Sequence, residues 1–168
     1  MGFNEYFGGN LFSSDFLSQS VTESTAWQAL SDEKIEVLFD RLNTCYNGFP
    51  SAQSPNESRT EDDLIWPILA AIGWTQHMRQ QNLSISGRAD VPDGLLFIDD
   101  QAKAKADDFP EDHKKYQFGA VVVESKRWGR PLDRQSGKRG EEIAPSTQML
   151  RYLRRVDDLT DGGLRWGF

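Results

Sequence analysis

The sequence predicts an α/β domain in which helices flank a small mixed central sheet. Residues 120–123, within FGAVVVESKRW, are small or branched and predict a strand that is buried on both faces. The run GLLFI, which ends in two aspartates, predicts a second strand that leads into a turn. Segments before and after these strands repeat apolar residues at helical spacing. Helices and strands in this order are typical of an α/β fold.

The first half of the chain predicts a lead-in segment and two helices. Residues 1–25 are rich in Gly, Ser, Asn and Phe without a sustained period, so we expect an extended or poorly ordered segment. Residues 26–168 are then expected to form one domain. A packing helix is predicted over residues 32–46 with Ser31 as its cap. The stretch TEDDLIWPILAAIGW predicts a second helix, in which Pro67 is expected to cause a bend.

The second half predicts strands, exposed helices and one amphipathic helix. A strand or hairpin is expected in LSISGRADVPDGLLFIDD, and one or two exposed helices in residues 101–118. GRPLDRQSGKRGEE predicts a polar loop, and APSTQMLRYLRRVDDL a helix capped by Ser146. Four apolar residues of that helix are expected to face the core: Met149, Leu150, Leu153 and Val156. The terminal GGLRWGF is typical of the start of a strand, so we expect the domain to be truncated there.

The charge distribution restricts where a polyanion could bind. The net charge is −7, which argues against a protein that coats nucleic acid by bulk electrostatics. Residues 1–118 carry 9 basic and 19 acidic side chains, whereas residues 119–168 carry 10 basic and 7 acidic ones. A DNA-facing surface is therefore expected in the last third of the chain.

Cysteine content and hydropathy exclude several protein classes. The single cysteine, Cys45, cannot form an internal disulfide and is expected to be a small buried thiol. With only two histidines beside it, the chain lacks the ligands of a structural zinc site. Neither a signal peptide nor an apolar membrane span is present in the sequence, so we expect a cytoplasmic protein without a membrane partner.

Charged side chains stand at the ends of the two predicted strands. Asp93 directly precedes GLLF, and Glu124 directly follows AVVV, with Lys126 two residues later. Because side chains alternate along a strand, Glu124 and Lys126 are expected on the same face. Phosphodiester hydrolysis needs a hard cation, and two carboxylates are ligands that Mg²⁺ accepts. The pattern predicts a metal site at Asp93 and Glu124, with Lys126 assisting the attacking water or offsetting transition-state charge.

These motifs resemble those of the PD-(D/E)XK nuclease superfamily. PDGLLF, followed after a helical insertion by VVVESKRWGRPLD, is similar to the nuclease domain at the N-terminus of type IIG restriction-modification enzymes. The resemblance covers about residues 54–168 and implies a restriction-endonuclease-like fold. It assigns metal binding to Asp93 and Glu124 and a catalytic role to Lys126. It also implies Mg²⁺, for which Mn²⁺ substitutes, and double-stranded DNA as the partner.

Further acidic residues compete for places in the metal site. The helix that opens such domains supplies an early Glu to the site, and Glu57 matches it best, with Glu61 as the rival. Either acid is also explained by favourable interaction with a helix N-terminus. Asp90, in GRAD, is an alternative to Asp93, because related type I restriction subunits carry this run. We prefer Asp93, which stands immediately before the strand.

Residues beyond the metal site complete the predicted surface. Gln148 and Tyr152 match a Gln-x-x-x-Tyr pattern of some branches of the superfamily, and their spacing places both on one helix face, where they could steady Lys126 or a phosphate. An ordinary half-buried pair explains them as well. Trp128 is expected to pack at the strand end, with stacking on a base as the alternative.

Basic residues cluster around the predicted metal site and on the following helix, and phosphate contacts are favoured for them over a solvated surface. Six are predicted DNA contacts: Arg127, Arg130, Arg134, Lys138, Arg139 and Arg151. Arg154 and Arg155 follow Arg151 on the helix and belong to the same cluster.

The sequence therefore leads to a metal-dependent endodeoxyribonuclease of a restriction-modification or phage-defence system as the first hypothesis. Specificity would come from methyltransferase and target-recognition domains or subunits, and the oligomeric state stays open, a homodimer included. The alternative is a catalytically inactive or truncated nuclease-fold module that binds DNA or a protein partner. A third interpretation is an unrelated α/β interaction domain, in which the motifs coincide by chance.

Overall fold

The computed structural model describes residues 13–168, and the chain divides into two compact units with the boundary between Asn43 and Thr44. Residues 1–12 of the predicted extended segment lie outside the described residues. The extended prediction is wrong for residues 13–25, because Phe16–Ser20 forms a π-helical turn and α1 spans Thr25–Gln28. The Ser24 hydroxyl caps α1 by accepting a hydrogen bond from the Trp27 backbone N–H.

Helix α2 spans Asp32–Gly48, close to its predicted bounds. Ser31 caps it as predicted, since its hydroxyl accepts a hydrogen bond from the Lys34 backbone N–H at 3.3 Å. No residue of α2 is buried, and Phe39 is 63% exposed, but Tyr46 near the end of the helix packs edge-on against Trp128, with ring centroids 6.4 Å apart. Cys45 is a free thiol of intermediate exposure and not the buried thiol that composition favoured.

A four-stranded mixed sheet forms the centre of the second unit. Its strands are β1, His77–Arg79; β2, Gly94–Leu96; β3, Val121–Val123; and β4, Trp166–Gly167. They lie side by side in sequence order; β1 and β2 are antiparallel, as are β2 and β3, whereas β3 and β4 are parallel. The sequence predicted β2 and β3 and indicated the start of a strand at β4, but no strand was predicted at β1.

The sheet lies between two apolar layers, so β3 is buried on both faces as predicted. Alternation along β3 places Val122 with Leu95 on one face, in a core that includes Val156 of the last helix. Val121 and Val123 lie on the other face and join a cluster with Trp66 and Leu69. The domain is thus a mixed α/β structure with helices on both sides of the sheet.

The predicted second helix is divided into three helical segments. α3 spans Glu57–Thr60, a π-helical turn spans Glu61–Ile65, and α4 spans Trp66–Ala71. Pro67 stands in the first turn of α4, where the lack of a backbone N–H destabilises the helix least. Because Pro67 has no N–H, it cannot donate a hydrogen bond to a carbonyl of the preceding turn. A π-helical turn therefore lies immediately before α4, and the bend expected at Pro67 stays a prediction.

Three further helices follow β2. α5 spans Asp100–Asp107 and α6 spans Asp112–Lys115, as the charged segment predicted, and a 3₁₀ turn over Tyr116–Phe118 leads into β3. α7 spans Pro145–Thr160 and connects the polar loop to β4. Within residues 13–168 these complete seven α-helices, none of which has the length and apolar character needed to cross a bilayer.

Two details of the α7 prediction are wrong. The residue that precedes α7 is Ala144, with Pro145 in the first turn, and not the predicted cap Ser146. Leu150 is 49% exposed, whereas Tyr152, which the prediction did not place in the core, is 3% exposed. Tyr152 and Val156 are four residues apart, so the buried face of α7 is centred on them.

Gly94 is required by the close approach of α4 to β2. A Cβ at this position would overlap Cη2 of Trp66 and lie 3.1 Å from its Cζ2. We expect Gly94→Ala to lower the free energy of unfolding by about 1 to 3 kcal/mol through overpacking, measured by urea unfolding. Gly137→Ala is the control, since nothing lies within 4 Å of its Cβ position. Equal stability of the two variants would contradict this packing.

Candidate active site

Pairing of β2 with β3 brings Asp93 and Glu124 to the same edge of the sheet. Gly94 pairs with Val123 in the antiparallel register, so the residue before β2 stands opposite the residue after β3. The Ser125 backbone N–H donates a hydrogen bond of 2.6 Å to Oδ2 of Asp93, which fixes this carboxylate across the strand ends. Two carboxylates that are distant along the chain are thus held together by the sheet.

Lys126 joins the two carboxylates as the cation of the site. Its Nζ forms an ion pair with Oε1 of Glu124 and donates a hydrogen bond of 2.9 Å to the Ser125 carbonyl. Burial lowers the pKa of Lys126, but the hydrogen bond to Glu124 and the nearby carboxylates outweigh it, so the pKa is raised. The side chain is therefore an ammonium group at neutral pH, which suits hydrogen-bond donation and charge compensation.

Glu124 is the most perturbed carboxyl group of this site. Burial raises its pKa to about 7; the Lys126 hydrogen bond opposes this shift, and the charges of Asp93 and Glu57 add to it. The side chain is only 5% exposed, and Oε2 is buried without a hydrogen-bond partner. A buried carboxylate oxygen without a donor is costly unless a cation or donor reaches it. The site therefore favours an additional positive charge beside Glu124.

The pKa of Asp93 is also raised, chiefly by burial and further by the charge of Glu57. The Ser125 N–H and the Lys126 ammonium oppose this shift. One cation, Lys126, is thus shared between two carboxyl groups whose pKa values are both raised above their ordinary range. A divalent cation between them would compensate the second negative charge.

Few protein side chains are available to ligate a metal ion at this site. Within residues 13–168, no group of three or more His, Cys, Asp and Glu side chains is placed to hold a metal ion. Asp93, Glu124 and the predicted third ligand Glu57 therefore do not form a complete protein cage. Mg²⁺ is commonly held by one or two carboxylates together with water and substrate phosphate. Asp93 and Glu124 fit that smaller set, and the unpartnered Oε2 of Glu124 is available as a metal-ligating oxygen.

Both candidate acids of the opening helix lie near this site. Oε2 of Glu57 accepts a hydrogen bond of 3.3 Å from the backbone N–H of Arg127, the residue after Lys126. The pKa of Glu61 is raised, first by burial and then by the charge of Asp93. The structure thus places Glu57 against the end of β3 and Glu61 within electrostatic reach of Asp93, and the choice between them stays open.

Thr60 is a residue that sequence reasoning missed. Its side chain is buried, and its hydroxyl accepts a hydrogen bond of 3.0 Å from the backbone N–H of Trp128. Trp128 packs edge-on against Phe49, with ring centroids 5.2 Å apart, as its predicted packing role implies. Thr60 and Glu57 together fasten α3 to the segment that follows Lys126. A threonine in a helix carries no sequence signal for such a contact.

A cleft of about 410 Å³ with a largely apolar lining borders Glu124 and Lys126. Glu124 and Lys126 line one side of it, and Leu69, Val123 and Trp128 contribute to the apolar remainder. Apolar walls limit hydration of the charged pair, which is the physical cause of the raised pKa of Glu124.

Arg127 and Arg130, both predicted to contact DNA, are bound within the protein by Glu141. Arg127 Nε lies 2.9 Å from Oε1 of Glu141, and Arg130 Nε lies 3.2 Å from Oε2. Arg130 is buried and also donates to the carbonyls of Glu141 and Ile143, which favours a structural role over phosphate contact. The pKa of Glu141 is lowered to about 2, first by the hydrogen bond from Arg127 and then by that from the Ser136 hydroxyl. Glu141 therefore stays ionised, and able to pair with both arginines, in mildly acidic solution.

The remaining predicted DNA contacts are accessible. Arg134, Lys138 and Arg139 are exposed on the loop between β3 and α7. Arg151 is half exposed and forms an ion pair with Asp90. Gln148 and Tyr152 share one face of α7 as predicted, and the Gln148 amide donates to the Tyr152 hydroxyl at 2.8 Å. They contact each other, and no hydrogen bond from this pair to Lys126 is present in the described residues.

Asp90, the alternative to Asp93, has a different environment. Its carboxylate is buried and paired with Arg151 at 3.0 Å and with Arg155 at 2.5 Å. Both oxygens are therefore occupied by guanidinium groups. This placement favours Asp93 as the carboxylate of the candidate active site.

No family model matches the sequence, and searches among curated proteins and among solved structures also find no match.

The raised pKa of Glu124 makes stability depend on pH. Between the ordinary value of 4.5 and the folded value of about 7, the folded protein keeps a proton that the unfolded chain has lost. Stability therefore falls as pH rises through this window. We expect the free energy of unfolding of the unsubstituted protein, relative to Glu124→Gln, to fall by up to about 3 kcal/mol from pH 4.5 to 7.

Urea unfolding in a chelator at several pH values measures this difference. Glu111→Gln is the control, because Lys114 lowers the pKa of Glu111 and its loss should not produce the same fall. A difference between the unsubstituted protein and Glu124→Gln that is independent of pH would contradict a raised pKa at Glu124.

Proposed function

We propose that this chain is a Mg²⁺-dependent DNA endonuclease domain with a restriction-endonuclease-like PD-(D/E)XK fold. The observation that carries the proposal is the convergence of Asp93, Glu124 and Lys126 at the ends of β2 and β3. The order of elements also supports it: α3 and α4, three antiparallel strands, α7 and a parallel fourth strand form one mixed sheet with helices on both faces. These features are compatible with the α/β arrangement of helices around a small mixed sheet that the sequence predicted.

In this proposal Asp93 and Glu124 would hold the cation, for which Mn²⁺ substitutes. When bound, the cation would polarise a phosphate and lower the pKa of water. Glu124 is suited to binding because Oε2 is buried and unpartnered. The Ser125 N–H holds Asp93 in position through Oδ2, which leaves Oδ1 to ligate the cation.

Lys126 would act as a hydrogen-bond donor to the reacting phosphate or to the attacking water. Its ammonium charge, maintained by Glu124, offsets negative charge that develops on the phosphate oxygens. The apolar cleft beside it limits water and strengthens this interaction. The product is expected to carry a 5′-phosphate. Sequence specificity would come from other domains or subunits of a restriction or phage-defence system.

The second candidate is a catalytically inactive module of the same fold that binds DNA or a protein partner. It is favoured by the lack of a three-ligand metal group within residues 13–168. The acidic net charge of −7 also fits a module without strong intrinsic DNA affinity. Both candidates retain the exposed basic loop, so DNA binding does not distinguish them. Cleavage of DNA does.

Cleavage of supercoiled plasmid with Mg²⁺ or Mn²⁺, and with a chelator as blank, tests the proposal. Glu124→Gln and Lys126→Ala are each expected to slow cleavage at least about 100-fold, because ligation and charge compensation are lost. Circular dichroism checks that both variants fold. Glu111→Gln and Lys114→Ala, which remove an exposed ion pair of the same chemistry, serve as matched controls.

Two results would count against the nuclease proposal. Unchanged cutting by both active-site variants would transfer the activity to other residues. Complete lack of cutting by the folded, unsubstituted chain with either metal would favour the inactive module.

A further inference from the structure

The outer surface of α7 carries three exposed arginines: Arg151, Arg154 and Arg155. They line a cleft of about 340 Å³, which Leu150 and Thr147 help to form. A second cleft of about 300 Å³ adjoins it through Arg155 and Asp158 and is bordered by Ser84 and Ser86. The two clefts together form an open groove beside the helix. None of the proposed catalytic residues lines it.

A single buried carboxylate holds two of these arginines in place. Asp90 is 2% exposed, and its two oxygens contact Arg151 Nε at 3.0 Å and Arg155 Nη1 at 2.5 Å. The Asp90 backbone N–H donates to the Ser84 hydroxyl at 3.0 Å, and Arg155 Nη1 donates to the same hydroxyl at 3.3 Å. Asp90 and Ser84 therefore fix the position from which both guanidinium groups project.

The two guanidinium groups retain donors for a ligand. An arginine has five N–H groups, and the contacts to Asp90 and Ser84 use only a few of them. The Arg151 and Arg155 side chains remain 45% and 43% exposed, so donors are accessible in the groove. Arg151 also lies over the Tyr152 ring, 5.5 Å from its centroid, which further restricts its motion.

The charge of the groove favours an anion. Three guanidinium groups face two carboxylates, Asp90 and Asp158, and Asp90 is already covered by the arginines that it binds. Arg151 and Arg155 are four residues apart, so both lie on one helix face about one turn apart. Paired, oriented guanidinium groups match the oxygen geometry of a phosphate group.

We propose that this groove binds the phosphodiester backbone of DNA through Arg151 and Arg155, with Asp90 as the residue that positions them. The proposal rests on the proposed function for its choice of DNA over a free phosphate. It goes beyond the site of cleavage, because it assigns a separate surface that holds the duplex. It also gives the buried Asp90 a role other than metal ligation.

Binding of the full chain to a fluorescein-labelled duplex tests the groove, with fluorescence anisotropy measured in a chelator across a range of salt concentrations. Arg151→Gln and Arg155→Gln each leave Asp90 with one guanidinium partner, so the buried carboxylate is not left unpaired, and circular dichroism checks that both variants fold. Each is expected to weaken binding about 5- to 10-fold near 0.1 M salt and to reduce the salt slope by about one. Arg165→Gln removes an equal charge from an exposed residue outside the groove and is expected to change affinity less than about twofold.

The outcomes are distinguishable from those of the cleavage test. Equal affinities of the two groove variants and Arg165→Gln would overturn the proposal, whether or not the protein cuts DNA. Weakened binding by the groove variants supports it even if the unsubstituted protein proves inactive as a nuclease.

A separate measurement distinguishes free phosphate from DNA. Inorganic phosphate is titrated at constant ionic strength, and the midpoint of thermal unfolding is recorded for the unsubstituted protein and Arg151→Gln. A stabilisation by phosphate that Arg151→Gln abolishes, with DNA affinity unchanged in that variant, would assign the groove to free phosphate and overturn the assignment to DNA.

Discussion

The antiparallel register between β2 and β3 is the constraint on which the candidate active site depends. Pairing of Gly94 with Val123 sets Asp93 opposite Glu124, and the Ser125 N–H then fastens Asp93 across the gap. A slip by one residue would turn the side chains of one strand to the opposite faces of the sheet. Burial of both strands between two apolar layers opposes such a slip, so the core maintains the geometry of the charged residues.

The same burial determines the electrostatics of the site. Burial of Glu124 and partial burial of Asp93 raise the pKa values of both groups, and Lys126 supplies compensating charge through its ion pair with Glu124. Such an arrangement costs stability in the folded protein, a cost that is typical of functional sites. Asp90 provides the contrast, since two arginines cover it and leave no oxygen for a further cation. The two carboxylates of the PD and GRAD motifs thus have separate environments.

Sequence predicted the parts of the fold that depend on strong local patterns. The branched run of β3 and the capped helix α2 follow from residue type alone. Tertiary contacts decided the rest: β1 has only three residues, His77–Arg79, and becomes a strand because β2 pairs with it. Tyr152 is buried because α7 packs it over the sheet, a placement that periodicity assigned to Leu150 instead.

We propose that the chain holds a divalent cation between Asp93 and Glu124. A crystal grown with Mn²⁺ and measured for anomalous scattering at the manganese edge tests this site most directly. An anomalous peak that contacts both Asp93 and Glu124 is expected. A well-ordered crystal without a peak between them, or with manganese bound only elsewhere, would contradict it.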